Sequence, residues 1–114
     1  MRHNLGDAAR VKHIRDAIRE IAELTNGYDQ QTFTQDKKTK FASVFQLEII
    51  GEAASRLSEE LKLAHQGIAW QPIIGLRHII VHEYFGIDYD RIWEVISIDL
   101  PALEIEIEKI IENL

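Results

Sequence analysis

Apolar residues recur along the chain at steps of three or four, and no stretch of useful length alternates with a period of two. Val11, Ile14, Ile18, Ile21 and Leu24 form the stripe of an amphipathic helix over residues 7–25, which Asn26-Gly27 ends. The polar stretch 28–35 has Phe33 as its one large anchor and predicts a connection holding a helical turn. Thr34 or Asp36 then caps a long helix to about Ala64, with Phe41, Val44, Leu47, Ile50 or Gly51, Ala54, Leu57 and Leu61 on one side. Glycine within a helix costs about 1 kcal/mol relative to alanine. The expected use of Gly51 is to let a neighbouring helix come close.

His65-Gln66-Gly67 breaks that helix, and Pro72 suits the first turn of another, running from about Trp70 to Tyr84 and closed by Phe85-Gly86. Asp88 or Asp90 can cap a further helix through Ile98. Asp99 with Pro101 starts the last one, whose inner face is Leu100, Leu103, Ile107, Ile110, Ile111 and Leu114. The fold class is therefore all-α, an up-and-down bundle of four to five helices in a single domain spanning residues 1–114.

Composition narrows the chemistry. A chain of 114 residues buries roughly 65% of its unfolded surface, enough for one core. There is no cysteine, which excludes disulfides, thiol catalysis and zinc ribbons. The first residues lack the apolar centre of a signal peptide, and no apolar run reaches the roughly 20 residues of a membrane helix, so cytoplasmic localisation without membrane association is expected. With 13 Lys and Arg against 19 Asp and Glu, the net charge is −6. That argues against a broad nucleic-acid footprint but leaves room for a local phosphate site.

The stretch best suited to chemistry is Arg77-His-Ile-Ile-Val-His82-Glu-Tyr84, which sets a fixed cation, an imidazole that titrates near neutrality and a phenol in an otherwise apolar helix. Arg77 could brace a phosphate in a bidentate fork and His82 could exchange its proton, a pairing able to carry phosphodiester transesterification without metal or other cofactor. At about 100° per residue, Arg77 and His82 point roughly 140° apart, whereas His78 and His82 share a face and Arg77 and Tyr84 nearly eclipse. A shared site then requires either a helix that loosens towards Gly86 or a second copy of the chain that supplies the missing group. Plainer readings stand beside these. Arg77 could be a surface arginine paired with Glu48 or Glu52, His78 and His82 could clamp a metal, and Tyr84 could cap the core with its hydroxyl in water. Trp70, Trp93 and Phe85 read as core or interface residues, and the Glu104, Glu106, Glu108 run reads as a solvated face.

The segments Ile49-Ile-Gly-Glu-Ala-Ala-Ser-Arg-Leu57 and Ile73-Ile-Gly-Leu-Arg-His-Ile-Ile-Val-His-Glu-Tyr-Phe-Gly-Ile-Asp88, with Ile92-Trp-Glu-Val and Asp99-Leu-Pro101, resemble the HepT family of HEPN ribonucleases, toxins of two-component toxin-antitoxin operons. The resemblance runs in order through essentially the whole chain. It implies a homodimeric helical bundle and metal-independent cleavage of RNA by an Arg-x4-His-x-Tyr motif, here Arg77, His82 and Tyr84, with His78 in a supporting position. It further implies that Tyr84 is the acceptor for AMP, transferred from ATP by a partner antitoxin of the minimal-nucleotidyltransferase type, as in type VII-like systems. Departures from the pattern are His78 where many relatives have Asn or Asp, Phe45 where an arginine is frequent, Phe41 where an acidic residue is frequent, and Gln71-Pro72 after the tryptophan. A second function class fits the same resemblance: a non-catalytic helical partner of the nucleotidyltransferase, with a nucleotide- or phosphate-binding dimer cleft.

Overall fold

The computed structural model describes the backbone of residues 3–82 and 86–114, and the side chains within those spans other than 3–5, 78, 79, 81 and 82. Among the described residues every regular element is helical. The order is α1 His3–Leu24, α2 Gln30–Gln35, α3 Lys37–Ser55, α4 Glu59–Ala64, α5 Trp70–His82, α6 Tyr89–Glu94, a π-helical turn Val95–Asp99, and α7 Leu100–Glu112. Four long helices make the bundle, in keeping with the sequence, and the short ones shape the connections. α3 packs against both α1 and α5, while α1 also packs on α7 and α2 on α6. No described helix is long and apolar enough to cross a membrane.

The α1 stripe behaves as its spacing predicts: Val11, Ile14, Ile18 and Ile21 are fully buried, and the helix gives way to a turn in which Gly27 takes the left-handed φ of +82°. Phe33 is wholly buried on α2 and packs against Trp93 with ring centroids 5.2 Å apart. Asp29 and Thr32 form a capping box at the start of α2. Asp36 caps α3 by accepting from the Thr39 N–H, and also accepts a hydrogen bond from the Tyr28 hydroxyl at 2.5 Å. Those bonds to the charged form, that of Tyr28 first, hold the Asp36 carboxyl below its usual range.

Two expectations about element boundaries are corrected. The long helix does not continue to Ala64: it stops at Ser55, and Ser58 opens α4 by accepting from the Leu61 N–H at 3.1 Å. The break is fixed from outside the segment. Asp7 of α1, 2% exposed, accepts the Ser58 N–H at 2.9 Å and the Ser58 hydroxyl at 2.6 Å, so a buried carboxylate holds the turn. Asp99 likewise does not cap a new helix. Its backbone is already helical and its side chain makes no cap bond, so α6, the π turn and α7 run on continuously. Pro101 has no N–H to donate, and the chain absorbs this in the π turn, where the Leu100 N–H reaches back to the Val95 carbonyl. Asp88, by contrast, caps α6 through the N–H groups of Asp90 and Arg91.

Two further expectations concern burial. Val44, Leu47, Ile50, Ala54 and Leu57 are buried, but Phe41 is 58% exposed. Leu103, Ile107 and Ile110 are inside while Leu114 is exposed at the chain end. The acidic run on α7 is only partly a solvated face, since Arg19 of α1 pairs with Glu104 at 3.5 Å and with Glu108.

The Asp7 and Ser58 contact can be tested by denaturant unfolding. Asp7→Ala leaves the Ser58 N–H buried without its acceptor and is expected to cost about 1–3 kcal/mol. Ser58→Ala removes the cap alone and is expected to cost about 1 kcal/mol.

Candidate active site

α5 is helical because its Ile-, Leu- and Val-rich sequence presents one face to α3, with Pro72 confined to the first turn and Trp70 anchoring the start. The indole N–H of Trp70 donates to the His65 carbonyl at 3.1 Å and ties α5 to the turn before it. Both Trp70 and Trp93 serve packing, as their apolar surroundings in the sequence predict.

Gly51 sets the position of Arg77. A Cβ built on Gly51 would lie 2.8 Å from the Arg77 Cβ, 3.0 Å from its backbone nitrogen and 3.3 Å from the Ile73 carbonyl oxygen. The missing methyl is what allows α3 and α5 to approach this closely, the role the sequence assigns to this residue. One residue on, Glu52 meets the arginine head: Arg77 Nε lies 2.7 Å from Glu52 Oε1. The other carboxylate oxygen accepts a hydrogen bond from Arg56 Nε at 2.6 Å. Glu52 therefore spans two guanidinium groups. The Arg56 hydrogen bond, with the charges of Arg77 and Arg56, draws its carboxyl below the usual value against a smaller opposing desolvation, so Glu52 is ionised throughout the range in which a histidine titrates. The Arg77 side chain remains 48% exposed. Of the two plain pairings the sequence offers Arg77, with Glu48 or with Glu52, the structure forms the one with Glu52, and it is compatible with a guanidinium that still faces solvent.

Beside Arg77 a groove of about 600 Å³ opens between α1 and α3, lined by Arg10 and His13 of α1, Glu48 and Glu52 of α3, Arg56 just beyond it, and Arg77. None of Arg10, His13 and Arg56 was singled out by sequence: the i,i+4 spacing of Glu52 and Arg56 could have marked Arg56, whereas Arg10 and His13 come from a helix some forty residues away, and no local spacing marks them.

Among the other residues singled out by sequence, His82 is the last residue of α5, and α5 is α-helical up to it, so within the described residues no loosening ahead of Gly86 brings positions 77 and 82 onto one face. The side chains of His78 and His82, and Glu83, Tyr84 and Phe85 altogether, lie outside the described residues. The metal reading of His78 and His82 and the place of Tyr84 therefore rest on sequence.

The profile of the Ribonuclease HepT-like family matches residues 14–110. The chain is 36% identical over 100 residues to a protein named probable ribonuclease HepT from Thermococcus cleftensis, covering 88% of this chain and 91% of that one. It is similar to two proteins each named "Putative RNase". For the one from Caldanaerobacter subterraneus subsp. tengcongensis, identity is 35% over 103 residues, covering 90% of this chain and 92% of that protein. For the one from Methanocaldococcus jannaschii, identity is 33% over 95 residues, covering 83% and 87%. No solved structure matches significantly.

The packing at Gly51 yields a stability test. In Gly51→Ala the new methyl meets backbone and Cβ atoms rather than a flexible side-chain end, so α3 and α5 must separate. Calorimetry should show a loss of about 1–3 kcal/mol.

Proposed function

Because this chain belongs to the HepT-like ribonuclease family, we propose that it is a metal-independent RNA endonuclease in which Arg77 and His82 carry the reaction, acting as the toxin of a toxin-antitoxin pair. The observation that carries this reading is the arginine at the family motif, held by Glu52 and the Gly51 contact yet half open to solvent. Pairing with Glu52 fixes the guanidinium and leaves its solvent-facing side available to a phosphate.

In the proposed reaction, His82 takes the proton of the 2′-hydroxyl, the 2′-oxygen bonds to phosphorus, and the bond to the 5′-oxygen breaks, leaving a 2′,3′-cyclic phosphate and a 5′-hydroxyl. Arg77 carries the charge that grows on the non-bridging oxygens. The departing 5′-oxygen takes its proton from a protonated histidine of the second copy. DNA has no 2′-hydroxyl and is inert.

The active form is proposed to be a homodimer. Positions 77 and 82 lie roughly 140° apart on a regular helix, which favours a composite site over one built within a single copy. Phe41 and Phe45, 58% and 60% exposed one turn apart on α3, give a second copy an apolar surface. Tyr84 is proposed to be the switch: its phenolic oxygen attacks the α-phosphate of ATP within a nucleotidyltransferase antitoxin, pyrophosphate leaves, and the attached AMP excludes RNA by bulk and by neutralising Arg77.

These outcomes test the proposal. Arg77→Ala and His82→Ala should each lower RNA cleavage by at least about two orders of magnitude. Melting should hardly move, because exposed ion pairs contribute only about 0–1 kcal/mol. Cleavage should persist in EDTA, and a loss restored by divalent metal would return the histidine pair to a metal role. Sedimentation should find a dimer that Phe41→Glu with Phe45→Glu converts to an inactive monomer, and a monomer cutting at full rate would sink the composite site. Incubated with the nucleotidyltransferase and ATP, the wild-type chain should gain the mass of AMP and Tyr84→Phe should not.

A further inference from the structure

The groove between α1 and α3 collects cationic groups in a way the net charge of −6 does not lead one to expect. Arg10, Arg56 and Arg77 come from three different parts of the chain and line one concavity of about 600 Å³, where they face two carboxylates, Glu48 and Glu52. Glu52 already bridges Arg56 and Arg77, one oxygen to each Nε. A single carboxylate therefore holds these two cations beside one another.

Arg10 is seated by a glycine, as Arg77 is. A Cβ on Gly6 would fall 2.7 Å from Arg10 Nη1 and 3.6 Å from its Cζ, so the guanidinium lies back over the bare helix at the groove wall. The head of Arg10 is the movable end of a flexible side chain, so this arrangement is adjustable, unlike the backbone contact at Gly51. His13, one turn further along α1, lines the same groove. Along α3 the exposed face of Glu48, Glu52 and Arg56 leads directly to Arg77 on α5, so a strand held at Arg77 can continue into the groove without crossing an intervening helix.

Resting on the ribonuclease reading of Arg77 and His82, we infer that this groove is the path of the RNA strand beyond the scissile phosphate, with Arg10 and Arg56 binding the adjoining phosphates and Glu52 positioning Arg56 against Arg77. The groove's lining offers charged groups and the ring of His13, with no tryptophan, tyrosine, phenylalanine or amide side chain, so its contribution is chiefly to grip the phosphates of RNA rather than to read its bases.

The test uses the full-length His82→Ala chain, which holds RNA without cutting it, and a fluorescent single-stranded RNA of about 12 nucleotides followed by anisotropy at several salt concentrations. Arg10→Gln and Arg56→Gln retain much of the stem and remove the charge. Each should raise Kd roughly tenfold and lower the slope of log K against log salt by about 0.7. Arg10→Lys and Arg56→Lys should restore the slope, a rescue that a purely structural role would not give. In the cleaving chain the Gln variants should raise KM and leave kcat nearly unchanged, whereas Glu52→Gln should lower kcat while melting stays put.

Unchanged Kd and salt slope in the Arg10→Gln, Arg56→Gln double variant, with Arg77→Ala still weakening binding, would overturn the groove and leave the ribonuclease site standing. Undiminished cleavage by Arg77→Ala and His82→Ala would overturn the ribonuclease site itself, whatever the groove binds.

Discussion

Everything at the candidate site depends on how closely α3 and α5 approach at Gly51. The helices meet where one residue has no side chain, and a carbon there would lie within 3.0 Å of both the Cβ and the backbone nitrogen of Arg77. Contacts of this kind involve atoms that cannot rotate out of the way, so the distance between the helices is set by backbone and not by rotamer choice. The cost of glycine within a helix, about 1 kcal/mol, is offset by the packing that the approach permits around Leu47, Ile50 and Ala54, all of them buried.

That close contact explains why Glu52 can act on an arginine of another helix. Being the next residue after the glycine, it is turned about 100° around α3, which puts its carboxylate at the rim of the contact, where Arg77 and Arg56 both reach it. An exposed ion pair adds little stability by itself. Its consequence here is orientation: the two guanidinium groups share one acceptor and so share one place. Charge is thereby concentrated locally in a chain whose overall balance is acidic, and the net value of −6 describes the surface as a whole without describing this groove.

The Asp7 contact with Ser58 lies just past the same end of α3. It ends α3 at Ser55 and opens α4 at Glu59, so the chain turns just after Arg56. An uninterrupted helix to Ala64 would have carried the chain straight on past Arg56. The π turn before α7 has a similar character, since it lets Leu100, Leu103 and Ile107 face the core on a helix that Pro101 would otherwise interrupt.

The sequence by itself determined the helical class, a bundle of four to five helices, the turn at Gly27 and the purpose of Gly51, and it narrowed two caps to Thr34 or Asp36 and Asp88 or Asp90, because each is written in local periodicity or in one residue's backbone freedom. It also offered Glu48 or Glu52 as a plain ion-pair partner for Arg77, and the structure takes Glu52. Only the tertiary structure decided the rest. Ser58 followed by Glu59 and Glu60 carries an ordinary N-cap signal, but the carboxylate that enforces the break belongs to α1, some fifty residues earlier in the chain. Phe41 fits the apolar stripe of α3 by spacing yet is left outside, because α1 and α5 cover only part of that helix. The groove of Arg10, His13, Arg56 and Arg77 exists because three elements distant in sequence pack side by side, and a periodicity read along one helix holds no information about which residues of another it will face.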